Sequence, residues 1–208
     1  MTEQSRAKNL IHNQASNYGP KITAQASRHF NYQDLIECSD TARLGKVTNI
    51  PVQDQTFDAL QQLAVHLLDP IVDQFGPITL TYGFCSPELS RAITHNHNPH
   101  IAPNLDQHTC HELNSKGKLI CTRLGAAVDF KVDYMAGRMD EVIVWIAENL
   151  EFDRIYYYGK SRPLHISYGP EMNQFVQLMN TNQISGRRTP GNRASGNDVV
   201  AMIKRLNY

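Results

Sequence analysis

The chain has 208 residues, which suits one large domain with appendages and is too short for two full ones. Basic and acidic residues balance at 20 each, so no global field draws the protein to nucleic acid or to an anionic membrane, and neither is expected as a partner. No apolar run approaches the ~20 residues of a membrane span, and the start, MTEQSRAKNLIHNQASNYG, lacks the apolar centre of a secretory signal, which points to a cytoplasmic protein.

In chain order, residues 1–27 are polar and aperiodic and read as an arm or a strap over the domain surface. Tyr32-Gln33-Asp34-Leu35-Ile36 reads as a short helix, ending before Ser39-Asp40, which is suited to cap another. Between Phe57 and Phe75, Leu60, Leu63, Ala64, Leu67, Leu68 and Ile71 recur at three- and four-residue steps, the period of an amphipathic helix. Pro70 should kink it or end its regular part, because proline lacks the amide donor and clashes with the preceding turn. Gly76-Pro77 breaks the chain, and Ile78-Thr79-Leu80-Thr81-Tyr82 has the β-branched and aromatic content of a strand. Ser86-Pro87-Glu88 then supplies a capping hydroxyl, a proline at the first helical position and an acid in the first turn, predicting a helix to about His95.

From Asn96 to Leu124 no period is visible, and so long a loop inside a compact domain is usually functional or disordered. Gly125-Ala126-Ala127-Val128-Asp129-Phe130-Lys131-Val132 reads as a buried strand, with Ala127, Asp129 and Lys131 on one face. Met139–Leu150 is a second good helix. Arg154–Tyr158 and Pro163–Tyr168 read as strands of a hairpin turned at Gly159-Lys160-Ser161-Arg162. Residues 185–196 read as a flexible basic linker, and Asn197–Leu206 as a capped amphipathic helix. The expected organisation is therefore an arm (1–27), a main domain (28–180), and a linker with a terminal helix (181–208).

The chemistry concentrates in a few residues. Asp129 sits alone in an apolar strand, and a buried carboxylate is costly unless it is paired or bound to a metal. His165 sits in the same way inside PLHISY. Zinc hydrolases commonly use imidazoles with a carboxylate and leave one position for water, so Asp106-Gln107-His108-Thr109-Cys110-His111-Glu112 offers a third ligand, His108 or His111. No HExxH is present. Cys38, Cys85, Cys110 and Cys121 form no CxxC pair and read as reduced thiols, Cys110 and Cys121 lying close enough to histidines to be weighed as ligands and set aside.

Five segments then occur in a familiar order: Ser39-Asp40-Thr41-Ala42 with Asn49-Ile50-Pro51, Leu68-Asp69-Pro70, Tyr82-Gly83-Phe84-Cys85-Ser86-Pro87-Glu88-Leu89, the pair Asp106-Gln107-His108 and Gly125-Ala126-Ala127-Val128-Asp129, and Pro163-Leu164-His165-Ile166-Ser167. From about Phe30 to Tyr168 the chain resembles the zinc D-Ala-D-Ala carboxypeptidases and L-alanyl-D-glutamate endopeptidases, the Hedgehog-like DD-peptidases, phage forms included. The resemblance implies an α+β fold with a small, mostly antiparallel sheet and helices packed on it. It also implies Zn2+ held by His108, Asp129 and His165, and a peptide substrate of cell-wall type, reached by release on lysis where no export signal exists.

Three departures bear on function. His108 lies 21 residues before Asp129, where the family places its histidine seven before, so a loop is inserted between the ligands, and the site survives if that loop leaves and returns at one point. Cys85 stands where the family has a substrate-holding arginine, with Arg91 or Arg123 as substitutes. Arg162 stands at the family's general-base position, no carboxylate occurs between Asp153 and Glu171, and Glu112, with His111 as an alternative proton carrier, is the expected replacement. The competing readings are a zinc-binding regulatory protein on the same fold without peptidase turnover, and a metal-free core with a histidine-rich loop.

Overall fold

The structure, a computed structural model, describes residues 21–40, 47–95, 102, 104–182 and 186–205. The arm's first twenty residues and the helix expected beyond Asp40 lie outside these. Residues 21–27 form a strap: Ile22 and Ala26 enter the core, and Ser27 Oγ donates to the buried Asp69 Oδ1 at 2.7 Å. Helix α1 (Tyr32–Ile36) starts in a reciprocal capping box between Asn31 and Asp34.

The long amphipathic helix is present in three continuous pieces, α2 (Asp54–Leu63), a π-helical turn (Ala64–Leu68) and α3 (Asp69–Phe75). Pro70 does not end it. The widened π turn lies just before the proline and relieves the clash its ring would make with the preceding carbonyls. Leu60, Leu63, Leu67, Leu68 and Ile71 are all fully buried, as the period demands.

The sheet has six strands in the order β1-β2-β4-β3-β5-β6. They are β1 (Ile78–Tyr82), β2 (Ala126–Val132), β3 (Arg154–Tyr157), β4 (Leu164–Tyr168), β5 (Phe175–Thr181) and β6 (Arg188–Ser195). Every pairing is antiparallel except β3 with β5, so the α+β class holds while the sheet is mixed and larger than expected. Helices α4 (Pro87–Thr94), α5 (Met139–Asn149) and α6 (Asp198–Lys204) complete the fold, α4 capped by Ser86 Oγ as its sequence requires. Asn197 supplies no side-chain cap to α6, which is held by Val199 and Ile203 buried in the core.

The basic stretch at 185–196 is corrected: it is not a linker through its length, since Arg188–Ser195 is strand β6, paired with β5. β6 is the edge strand and carries Pro190 and Gly191 at an irregular register, so it shows no apolar alternation for a sequence reading to find.

One face of the sheet, carrying Val128, Phe130, Ile155, Leu164, Ile166 and Val176, joins the helices in the main core. The opposite face carries Asp129, His165, Tyr156 and Gln177 together with Ala127, Phe175 and Met179. At its root Gly125, at φ 111°, lies so close to β4 that a Cβ there would stand 2.2 Å from Tyr168 O. Gly125→Ala should therefore combine backbone strain with a steric clash and cost roughly 3 kcal/mol, read as a lower midpoint in denaturant unfolding. An unchanged midpoint would show that the β2–β4 contact is looser than described. No described helix is long and apolar enough to cross a membrane.

Candidate metal centre

Alternation along β2 turns Asp129 away from the core, and the β2–β4 register sets it directly opposite His165. His108 arrives from a 3-10 turn (Gln107–Thr109) whose N-cap is Asp106, accepting from His108 N at 3.3 Å. The inserted loop does leave and return at one point: Gln107 Nε2 donates to Leu124 O at 2.9 Å, beside the start of β2, and to Asp153 Oδ2 at 2.7 Å.

His108, Asp129 and His165 each bring one ligand atom within 4.8 Å of the others, the group of three with metal-binding potential among the described residues. His165 Nδ1 lies 2.8 Å and His108 Nε2 3.5 Å from the same oxygen, Asp129 Oδ1. Two ligands about 2.0–2.1 Å from a tetrahedral zinc are separated by roughly 3.3 Å, a value these two distances bracket. The other nitrogen of His108 faces Gly83 O at 2.9 Å and Ala127 O at 3.1 Å, which places a proton on Nδ1 and aims Nε2 at Asp129. Tyr82, T-shaped to His108 at 4.7 Å, and Tyr156, stacked on His165 at 4.7 Å, fix the two imidazole planes.

The charge state tests the fit of a metal. With Nδ1 protonated, His108 reaches Asp129 through Nε2 only as an imidazolium or as a metal ligand. Burial lowers the His108 pKa, but Asp106 and Asp129 outweigh it and bring it to about 9. Burial likewise opposes ionisation of Asp129, yet hydrogen bonds from both histidines hold its carboxyl well below the usual range. Both shifts mark a site that favours positive charge beside Asp129 Oδ1, and His165 Nε2 is buried without a hydrogen-bond partner. The side chains of His108 and His165 are 1% and 3% exposed whereas Asp129 is 22% exposed, so the cluster opens on the carboxylate side. The cluster could hold a metal ion, with two nitrogens, one oxygen and an open side.

The other expected site residues go elsewhere. Cys110, at φ 48°, turns the chain after His108, so His111 and Glu112 stand outside the metal-binding group. Glu112 is 1% exposed, and its Oε1 accepts from Val52 N, Gln53 N and Thr56 Oγ1 at the start of α2. His111 donates its amide to Thr56 Oγ1 at 3.3 Å, and burial lowers its pKa. The four cysteines are buried and form no disulfide, and none belongs to the group.

A cleft of about 660 Å3 adjoins the cluster through Tyr156 and is lined by Asp106, Arg123 and residues of β3, β5 and β6. Of the two arginines weighed as substitutes at Cys85, Arg123 lines this cleft, donating to Leu105 O and to Tyr156 Oη, while Arg91 is exposed on α4. Asp106 is the carboxylate that sequence reasoning passed over. It is buried, lines the cleft, and burial pushes its carboxyl up against the pull of His108 and His165. The signal was its place two residues before His108, masked by its role as a turn cap. Comparison with family models, with curated proteins and with solved structures gives no match.

Proposed function

We propose that the chain is a zinc-dependent hydrolase of peptide bonds, of the kind the resemblance to DD-peptidases implies. The observation that carries this reading is Asp129 Oδ1, on which two buried imidazole nitrogens converge at 2.8 and 3.5 Å. Zinc suits a donor set of two imidazoles and a carboxylate, and when bound it makes hydroxide available by drawing the pKa of its water toward ~7. His108, fixed by Gly83 O and Ala127 O, and His165, fixed by Tyr156, hold the ligand geometry rigid. The Asp106 oxygen not bonded to the His108 amide takes the proton of the attacking water, the task the sequence had offered to Glu112 and His111. Arg123 stands over the cleft to polarise a substrate carbonyl or hold a carboxylate, in place of the guanidinium missing at Cys85.

Zinc-loaded protein should release fragments from peptides ending in D-Ala-D-Ala or containing L-Ala-D-Glu, followed by mass spectrometry. Asp106→Asn should lower turnover roughly 100-fold while retaining metal, and His165→Ala should lose both. Absence of cleavage by fully loaded protein would remove the hydrolase. The second reading, a zinc-binding regulatory protein, would then stand. It is favoured by Cys85, fully buried against Tyr82, Leu89 and Ile93 where the family exposes its arginine to substrate.

A further inference from the structure

In-register neighbours share a face of a sheet, and one such row runs from the metal cluster to the sheet edge: Asp129 opposite His165, His165 opposite Tyr156, Tyr156 opposite Gln177, and Gln177 opposite Arg193. Strands lie about 4.8 Å apart, so the path from His165 to Arg193 covers three spacings, roughly 14 Å. That length takes about four residues of an extended peptide at ~3.4 Å each.

Guanidinium groups flank this row. Arg154 lies over the Phe175 ring at 4.8 Å, Arg188 over the Tyr158 ring at 4.3 Å, and Arg123 and Arg193 also line the cleft. Arg154 Nε is buried without a hydrogen-bond partner, its nearest acid being Asp153 Oδ2 at 3.8 Å. Among the described residues that line the cleft, Asp106, at the metal end, is the one acid. A single phosphate or terminal carboxylate cannot engage cations set on β3, on β6 two strands away, and on the loop before β2, so the complement is an extended chain with several negative groups.

The rings decide which chain. Phe175 and Tyr158 each give a face to an arginine, and Tyr156 gives one to His165 at an interplanar angle of 22°. They act as backing that sets the guanidinium planes rather than as open platforms for nucleobases. Planar guanidinium forks so held match carboxylates.

We propose that the arginine-rimmed cleft on β3, β5 and β6 is a binding groove for an acidic peptide, laid across the strands with its carboxylates on Arg123, Arg154, Arg188 and Arg193 and one end at the metal cluster. The inference rests on the peptide-hydrolase reading for what happens at that end. It also gives the strand first read as a linker its purpose.

The test is fluorescence anisotropy with a labelled hexapeptide of alternating Glu and Ala, its Gln-Ala counterpart and a labelled hexathymidylate, using the full chain both zinc-loaded and chelator-treated. The acidic peptide should bind at least about tenfold more tightly than the Gln-Ala peptide, and added salt should weaken it. Arg188→Gln and Arg193→Gln, both on the edge strand, should each weaken it about fivefold with thermal midpoints unchanged. Equal binding of the acidic and amide peptides would overturn the proposal, as would tighter binding of hexathymidylate or insensitivity to both substitutions. Arginine-dependent binding that survives chelation, with no cleavage by loaded protein, would leave the groove standing while the hydrolase reading falls.

Discussion

Purified protein supplied with zinc and freed of excess should hold about one ion per chain, and His165→Ala and Asp129→Asn should hold none. A ligand at about 1,000 times its Kd stabilises the folded state by ~4 kcal/mol, which for a chain of this length raises the melting midpoint by roughly 10 °C. Binding should also be pH-linked. His108, raised from 6.5 to about 9 by Asp106 and Asp129 against the opposing effect of burial, is protonated in the metal-free protein at pH 7. Metal must displace that proton, so affinity should rise about tenfold per pH unit up to about pH 9.

The metal-free protein should show the opposite trend on the alkaline side. The His108 contribution to stability is complete below pH 6.5 and is lost as pH rises through about 9. The Asp129 carboxyl is depressed, so its contribution is complete above its ordinary 3.8 and is lost as pH falls through the lower folded value. The gap between loaded and metal-free midpoints should therefore widen from pH 6 to pH 9. A pH-independent gap, or retention of metal by His165→Ala, would remove this cluster as the metal site.

Why these three residues were legible and their surroundings were not follows from what each owes to local pattern. Asp129 and His165 stand out because a polar group inside an apolar strand violates the strand's own composition, and alternation assigns its face without tertiary information. His108 and His111 could not be separated in that way, because the choice depends on Cys110 at φ 48°, a backbone turn with no compositional mark. β6 was missed for the converse reason: only Ala194 reaches the core, and Arg188, Pro190 and Arg193 line the cleft, so a paired strand has the composition of a loop. The cleft is thus built largely from the segment that looked least structured.

Glu112→Ala should destabilise the protein by about 3–5 kcal/mol, lowering the midpoint by roughly 10 °C, while leaving one metal per chain. Helix α2 begins at Asp54, and its N-cap Gln53 makes no side-chain hydrogen bond. The part-buried amides that lead into it are held from far along the chain, by Glu112 Oε1 at 3.0 Å from Val52 N and 3.1 Å from Gln53 N, with Thr56 Oγ1 in its first turn donating at 2.9 Å, and the carboxylate lies at the helix's positive end. Hydrogen bonds to a charged acceptor contribute about 1.5–3 kcal/mol each and do not add fully, and their loss leaves two part-buried amides and the buried Thr56 hydroxyl without this acceptor, beside Phe57 in the core. Glu112→Gln keeps an acceptor oxygen without the charge and should cost only about 1–2 kcal/mol. A catalytic Glu112 would reverse the pattern: Glu112→Gln would abolish turnover at an unchanged midpoint. Metal content, melting midpoint and peptide cleavage measured together on both variants separate a carboxylate that holds the ligand-bearing loop to α2 from one that moves a proton.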